Sequence, residues 1–216
     1  MILPCYDAAT WGPSIDAAVG AVASGGVVVL PTDTVYGVGA DAFQPDAVAA
    51  VLAAKGRGRQ MPPPVLIPGA ATVEGLARDV PVTARELMEA FWPGPLTIIA
   101  WAQPSLAWDL GETHGTVALR VPDHAAALAL LARTGPLAVT SANRTGEPAA
   151  TNAEDAREQL GDSVAIYLDA GPSPLGLAST IVDATAPRGL RIVREGGITR
   201  DDIVATVGIT AMEDRA

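Results

Sequence analysis

Cysteine, aromatic residues and long apolar runs are all scarce in this sequence of 216 residues. Cys5 is the only cysteine, so no disulfide can form within the chain, which is typical of a reducing compartment. Aromatic residues make up only 4% of the chain, so its core has to be built from alanine, valine, leucine and isoleucine. No apolar run reaches the ~18–20 residues that cross a bilayer, and the N-terminus, MILPCYDAAT, does not resemble a signal peptide. We therefore expect a soluble cytoplasmic protein with no membrane partner.

Several patterns that carry familiar chemistry are absent as well. His114 and His124 are the only histidines, and neither stands at metal-ligand spacing from Cys5 or from the other. The sequence contains neither the GxxxxGK(S/T) phosphate loop nor the GxSxG nucleophile motif. These absences argue against a structural zinc site, a P-loop nucleotide site and a serine-hydrolase triad.

One short motif does match a nucleotide-binding pattern. The segment from Gly37 to Ala42 reads GxGxxA after a predicted strand. A dinucleotide site also needs an acidic residue at the end of the next strand, about 20 residues further on, and residues 51–58 supply none. Close packing of a strand against its neighbour accounts better for these glycines.

Positive charge is scarce and unevenly distributed. The net charge is −10, so the surface as a whole repels nucleic acid. Lys55 is the only lysine, and it stands with Arg57 and Arg59 in a stretch that has no acidic residue between Asp46 and Glu74. This cationic stretch is either a solvated loop or a site for an anion, and charge alone does not separate the two.

The alternation of apolar runs with alanine-rich stretches predicts an α/β (α+β) domain. Strands are predicted at residues 27–30, 35–40, 65–67, 96–101, 116–121, 137–140, 164–168, 180–183 and 190–194. Helices are predicted at residues 13–24, 45–54, 82–92, 123–133, 153–160 and 200–207, each followed closely by glycine or proline. Since no internal repeat or long linker divides the chain, we expect one domain, residues 1–216, whose motifs lie within about 10–208.

Polar segments follow several of the predicted strands, where the functional loops of α/β sheets lie. Taken singly, each also fits a structural role, such as an Asx turn or an exposed cation. Together they supply hydroxyls, backbone amides and fixed cations, which are the groups that bind polyphosphates and carboxylates. These segments are Thr32–Gly37, Lys55–Arg57, Arg120, Thr140–Asn143, Ser179–Thr180 and Arg194–Gly196.

The order of these segments resembles the YrdC-like family. The chain contains, in the family's order, PTDTVYGVGADAF, KGRGRQMPPPVLI, FWPGPLT, TVALRVPDH, TSANRTGEPA, STIVD and REG, which span residues 25–196 with their flanks. The resemblance implies a twisted, mixed α/β sheet flanked by helices, with a large concave cavity. It also implies an L-threonylcarbamoyladenylate synthase, which joins L-threonine, bicarbonate and ATP and releases pyrophosphate. The product would pass to a threonylcarbamoyl transferase that modifies tRNA.

The resemblance also implies roles for individual residues. Lys55 and Arg57 hold the family's KxR positions and would be catalytic, neutralising the triphosphate of ATP. The other implied ATP contacts are Thr116, Ser141, Asn143 and Arg194, and the implied threonine contacts are Thr34, Arg120 and Ser179. Mg²⁺ is expected with the nucleotide, held mainly by phosphate oxygens and water, with Asp33 as a candidate outer ligand. We expect Lys55→Ala and Arg57→Ala to lower activity and to leave the melting temperature nearly unchanged.

The sequence departs from the family pattern after the KxR positions. Gly58 and Met61–Pro64 stand where family members commonly have a proline and an Asn-Pro-Leu-like stretch, so residues 58–66 receive no ligand contacts. Closure of the cavity would have to come from residues 55–63 or from a partner.

Two other activities also fit a YrdC-like domain. One is an RNA-binding module without synthase activity, although the net charge of −10 argues against more than weak RNA binding. The other is carbamoyl transfer of the hydrogenase-maturation kind, whose proteins carry zinc-finger and acylphosphatase-like segments. This sequence has no room for those segments.

Overall fold

Eleven strands form one mixed sheet in the structure, a computed structural model that describes residues 1–213. The strands are β1 (Ile2–Pro4), β2 (Val28–Leu30), β3 (Gly37–Asp41), β4 (Val65–Leu66), β5 (Ala77–Arg78), β6 (Leu96–Ala102), β7 (Thr116–Arg120), β8 (Leu137–Ser141), β9 (Ile166–Asp169), β10 (Thr180–Asp183) and β11 (Arg191–Arg194). Seven α-helices accompany them within the same residues: α1 (Gly12–Ala23), α2 (Pro45–Ala54), α3 (Val73–Leu76), α4 (Val82–Phe91), α5 (Ala125–Thr134), α6 (Ala153–Leu160) and α7 (Arg200–Val207).

The order of the strands in the sheet differs greatly from their order in the chain. Hydrogen-bonded neighbours follow β1-β9-β2-β3-β8-β4-β7-β6-β10-β11, and β5 pairs with β6 beside this path. The β2/β9, β4/β7 and β6/β10 pairs are parallel, whereas the β3/β8, β6/β7 and β10/β11 pairs are antiparallel. Segments far apart in the sequence therefore become neighbours at the centre of the sheet.

Side chains alternate between the two faces of the sheet along β2, and helices pack against both faces. Val28 and Leu30 point to the face covered by α1 and α5, where they join a cluster with Leu130. Val29 points to the opposite face, where it packs with Val51 of α2 and with α6. A larger apolar cluster lies under α4 and α7, against β6 and β7.

The predicted fold class is confirmed, since the structure is a mixed α/β fold with helices flanking a mixed sheet. The predicted helices and strands are all present, with ends shifted by up to two residues. The prediction missed three short elements, β1, α3 and β5, which have two to four residues each and therefore no readable periodicity. The prediction of a single domain over residues 1–216 stays a prediction, because residues 214–216 lie outside the described residues.

The GxGxxA segment forms strand β3, and its glycines allow close packing. Gly39 pairs with Val139 of β8, and a Cβ atom on Gly39 would lie 2.8 Å from the carbonyl oxygen of Ala138. A Cβ atom on Gly37 would meet the Val139 side chain at 2.5 Å. These glycines are therefore required by the β3/β8 pairing, which agrees with the packing interpretation of the motif.

Across residues 1–213, no helix has both the length and the apolar character needed to cross a membrane.

Candidate active site

A concave cavity of about 410 Å³ opens at the centre of the sheet. Its walls come from the loop between β2 and β3, from the segment that links α2 to β4, and from strands β6, β7, β8, β10 and β11. The volume falls within the ~300–1,000 Å³ of typical small-molecule sites. The crossed strand order is what assembles these walls, because it brings residues 32–37, 57–66, 97–120 and 178–194 to one place.

Seven of the nine predicted ligand-contact residues line this cavity. They are Thr34, Arg57, Thr116, Arg120, Ser141, Ser179 and Arg194. The structure thus brings together side chains from six separate stretches of the chain. Lys55 and Asn143 are buried and are not part of the cavity lining.

Lys55 does not line the cavity itself, but it forms hydrogen bonds to a segment of the cavity wall. It ends α2, and its ammonium donates hydrogen bonds to the carbonyl oxygen of Ser141, to that of Asn143 at 2.6 Å, and to Asn143 Oδ1 at 3.1 Å. Both N–H groups of the Asn143 side chain are also used within the protein, because Nδ2 donates to the carbonyl oxygens of Arg144 and Glu147. Burial, and secondly the charge of Arg57, lower the pKa of Lys55 to about 8. The contacts of Lys55 and Asn143 therefore order residues 141–147.

Arg57 is the cation of the KxR pair that reaches the cavity. Its Nη1 donates to Thr140 Oγ1 at 2.9 Å, whereas its buried Nε has no hydrogen-bond partner among residues 1–213. Burial, and secondly the charge of Arg194, lower the pKa of Arg57. An anion bound beside Arg57 would stabilise its charged form and so oppose this lowering of its pKa.

Arg120 is held by a buried ion pair. Its Nη2 pairs with Asp33 Oδ1, its Nη1 donates to Thr34 Oγ1 at 2.9 Å, and its Nε donates to the carbonyl oxygen of Gly94 at 2.9 Å. Burial lowers the pKa of Arg120, and Asp33 opposes that effect. Asp33 also accepts the backbone N–H of Asp123 and does not line the cavity, so its contacts are those of a counter-ion for Arg120. Three of the five guanidinium N–H groups of Arg120 form hydrogen bonds within the protein, which leaves two for a ligand.

Ser179 and Arg194 also line the cavity and contact each other. Arg194 donates from Nη2 and Nε to the carbonyl oxygen of Ser179 at 2.7 and 3.1 Å, and from Nη2 to Ser179 Oγ at 3.3 Å. Ser179 Oγ also lies 2.9 Å from Thr97 Oγ1, on the neighbouring strand β6. Thr116 lines the cavity too, with its hydroxyl donating to the carbonyl oxygen of Thr113.

Sequence reasoning missed several lining residues. Thr32, Thr97 and Thr140 line the cavity although only their motifs were singled out. Met61 and Pro62 also line it, within a segment that received no ligand contacts. Each of these threonines lies in one of the sequence motifs named above, but only the arrangement of strands and loops brings them to the cavity.

The segment that links α2 to β4 is fastened outside the cavity. Arg59 forms a two-pronged pair with Asp109, at 2.8 and 3.0 Å, and its carbonyl oxygen accepts the N–H of Glu112 at 2.9 Å. These contacts place residues 61–64 along the cavity wall. The predicted role of residues 55–63 in closing the cavity stays a prediction.

The donor set of the cavity does not form a resident metal site. Its described lining contains arginines, hydroxyls and apolar groups, and no aspartate or glutamate. Within residues 1–213, no group of three or more histidine, cysteine or acidic side chains could hold a metal ion. A hard cation such as Mg²⁺ would therefore depend on oxygen ligands brought by an anionic substrate, which fits a cation that enters with a nucleotide.

Fold and cavity together define an α/β protein with a central cavity lined by arginines and hydroxyl groups. A family model, Sua5_yciO_yrdC, described as "Telomere recombination", matches residues 20–196. The chain belongs to the Sua5/YciO/YrdC family.

Named relatives agree with this assignment. A relative from Mycobacterium tuberculosis, provisionally named a threonylcarbamoyl-AMP synthase, is 52% identical over 207 residues, covering 96% of this chain and 95% of the relative. The threonylcarbamoyl-AMP synthase of Bacillus subtilis is 40% identical over 199 residues, which are 91% of this chain and 57% of that protein. The crystal structure of Pyrococcus abyssi Sua5 complexed with L-threonine matches with a TM-score of 0.92 at 31% identity. That match covers 99% of this chain and 62% of the Pyrococcus chain.

Proposed function

We propose that this protein is an L-threonylcarbamoyladenylate synthase, a nucleotidyltransferase that uses L-threonine, bicarbonate and ATP. The observation that carries the proposal is the charge of the cavity. Arg57, Arg120 and Arg194 line it, no carboxylate stands among its described lining residues, and the overall charge of the chain is −10. Such a concentration of cations in an acidic protein favours a polyanionic ligand. The names of the relatives narrow that ligand to the substrates of this reaction.

The chemistry needs two bond-forming steps. The amine of threonine adds to the carbon of bicarbonate and water is lost, which gives a carbamate. A carbamate oxygen then attacks the α-phosphorus of ATP, the bond to the β-phosphate oxygen breaks, and pyrophosphate leaves. Both steps depend on holding anions together and on stabilising charge at the transferring phosphoryl group. Neither step requires a covalent protein nucleophile.

The cavity residues supply this stabilisation directly. Arg57 and Arg194 both line the cavity, and the charge of Arg194 lowers the pKa of Arg57, so the triphosphate is assigned to these two cations. The hydroxyls of Thr34 and Ser179 and the two remaining N–H groups of Arg120 are assigned to the amino acid. Lys55 and Asn143 act by ordering residues 141–147. Mg²⁺ enters with ATP and neutralises phosphate charge, and no protein carboxylate is assigned to it.

The product is a reactive mixed anhydride, so it requires a second enzyme that accepts the threonylcarbamoyl group. We assign this role to a tRNA-modifying threonylcarbamoyl transferase. The net charge of −10 supports weak RNA binding at most, so tRNA is assigned to that partner.

The deciding experiment incubates the protein with ATP, bicarbonate and labelled L-threonine, and measures pyrophosphate release. The expected result is release that requires both threonine and bicarbonate, together with a labelled adenylate. Release that does not depend on threonine would contradict the proposal. Retention of RNA on a filter at high salt, without any release, would instead favour the RNA-binding module.

A further inference from the structure

The Thr34 hydroxyl has only one way to arrange its proton. Thr32 Oγ1 lies 2.6 Å from the carbonyl oxygen of Val35, which can only accept, so Thr32 donates its single proton there. Thr32 Oγ1 also lies 2.9 Å from Thr34 Oγ1, and with its own proton spent it must accept the proton of Thr34. On its other side, Thr34 Oγ1 accepts from the guanidinium of Arg120 at 2.9 Å. The Thr34 hydroxyl therefore offers the cavity a lone pair and no proton.

The Ser179 hydroxyl is arranged in the opposite way. Its neighbour Thr97 is only 1% exposed, and among residues 1–213 Ser179 Oγ is the sole recorded hydrogen-bond partner of the Thr97 hydroxyl. A buried hydroxyl proton needs an acceptor, so Thr97 donates to Ser179. Arg194 donates to the same Ser179 oxygen at 3.3 Å. Ser179 therefore accepts from inside the protein and has its own proton free for the cavity.

We propose that these two hydroxyls set the direction in which the amino acid binds, with Thr32 and Thr97 as the positioning residues. The lone pair of Thr34 binds an N–H or O–H donor of the amino acid. The free proton of Ser179 binds an oxygen of its carboxylate. This inference rests on the proposed function for the identity of the amino acid, and it adds the polarity of each contact and two residues that the sequence motifs did not assign.

The arrangement bears on the reaction. An amine nitrogen that donates an N–H to Thr34 keeps its lone pair, which is the pair that must attack the carbon of bicarbonate. A carboxylate held by the Ser179 proton leaves the lone pair of Thr34 to the donor group of the amino acid. If the side-chain hydroxyl of the bound threonine donates to Thr34 in place of the amine, Thr34 determines which amino-acid side chain the site accepts.

Calorimetric titration of the whole protein tests the Thr34 contact without turnover. T34V is expected to weaken L-threonine binding about tenfold, and T32V to weaken it by a similar factor. In the T34V background, T32V should have almost no further effect, because its role is exerted through the Thr34 hydroxyl. T32S keeps the hydroxyl and should bind like wild type. T134V is the matched control, since that hydroxyl donates to the Leu130 carbonyl oxygen in α5, away from the cavity.

Ligand analogues identify the partner of each hydroxyl. If Thr34 binds the amine, T34V should carry the same penalty with L-2-aminobutyrate as with L-threonine. If it binds the side-chain hydroxyl, that penalty should vanish with L-2-aminobutyrate. With L-threoninamide, which lacks the carboxylate charge, the S179A and T97V penalties should shrink while the T34V penalty persists.

Three results would overturn the inference. They are an undiminished T32V penalty in the T34V background, a T34V penalty lost only with L-threoninamide, and full threonine affinity in T34V. If T32V does not fold, as judged by its thermal melt, the analogue series on T34V and S179A still decides. Wild-type protein that binds no L-threonine overturns both proposals, whereas binding without pyrophosphate release overturns the synthase alone.

Discussion

The ammonium of Lys55 lies 2.6 Å from the backbone carbonyl oxygen of Asn143 and 3.1 Å from its side-chain oxygen. This contact joins the end of α2 to the turn that follows β8. The only lysine of the chain is thus used to order backbone, and the effect of its removal differs from what the motif alone predicts.

Lys55→Met is expected to lower the free energy of unfolding by about 2 kcal/mol, because buried carbonyl oxygens lose their charged donor. This replaces the expectation from the sequence that the melting temperature stays nearly unchanged. Urea unfolding of both proteins measures the change. Arg133→Met is the control, since its pair with Asp16 is exposed and should contribute less than ~1 kcal/mol. Equal stability of Lys55→Met and wild type would contradict the structural role.

The stability difference between wild type and Lys55→Met should also depend on pH. The pKa of Lys55 is lowered from 10.5 to about 8 in the folded protein, so the native state releases this proton first. Between those values the unfolded chain binds more protons, and the stability of wild type should rise relative to the variant as the pH increases from about 8 to 10.5. Unfolding curves of both proteins across that window measure it. A constant difference would show that Lys55 titrates normally.

Arg57 and Arg194 should behave as anion-binding cations, since both line the cavity. Arg57→Gln and Arg194→Gln are each expected to weaken ATP binding about tenfold or more. Arg57→Gln should leave the free energy of unfolding within about 0.5 kcal/mol of wild type. Calorimetric titration measures ATP binding, and thermal melts with and without pyrophosphate measure stability and anion binding. Arg85→Gln removes an exposed cation paired with Glu74 and should bind ATP like wild type.

The buried Asp33–Arg120 pair should couple stability to threonine binding. Asp33→Asn leaves the guanidinium buried without its counter-charge, which is expected to cost about 3–5 kcal/mol. In the double variant Asp33→Asn/Arg120→Gln much of that stability should return, whereas threonine binding should not. Chemical unfolding and calorimetry separate the two effects. Full recovery of binding in the double variant would show that Arg120 does not serve the ligand.

Gly39→Ala tests the packing interpretation of the GxGxxA segment. The added Cβ would lie 2.8 Å from the Ala138 carbonyl oxygen, so β3 and β8 would have to separate locally. A loss of about 1–3 kcal/mol in unfolding free energy is expected. Gly12→Ala is the control, because no atom lies within 4 Å of a Cβ atom placed there. A stable Gly39→Ala protein would contradict the requirement for glycine.

The sequence predicted the fold class and the long elements because their periodicity and flanking glycines and prolines are local signals. It also predicted seven of the 28 residues that line the cavity, among them Thr34, Arg120 and Ser179, because they lie in polar segments near strand ends. The positions of these segments relative to one another depend on strand order, which no local pattern encodes.

The same limit explains the contacts that the sequence could not reveal, while the predicted contact of Lys55 with ATP stays a prediction. Lys55 was expected at the triphosphate because its charge is visible in the sequence, whereas its acceptors, the carbonyl oxygens of Ser141 and Asn143, are not. Thr32 and Thr97 gain their importance from the direction of hydroxyl protons, which is set by partners on other segments.

The order of strands also has a consequence for protein synthesis. The cavity takes Thr34 from the loop after β2 and Arg194 from β11, the last strand of the described residues. A ribosome that has released residues 1–170 has exposed most of the sheet and none of Ser179 or Arg194. The nascent chain therefore acquires its complete ligand site only after β11 has been released, and a fragment that stops before β10 should fail to bind threonine even where its remaining strands pair.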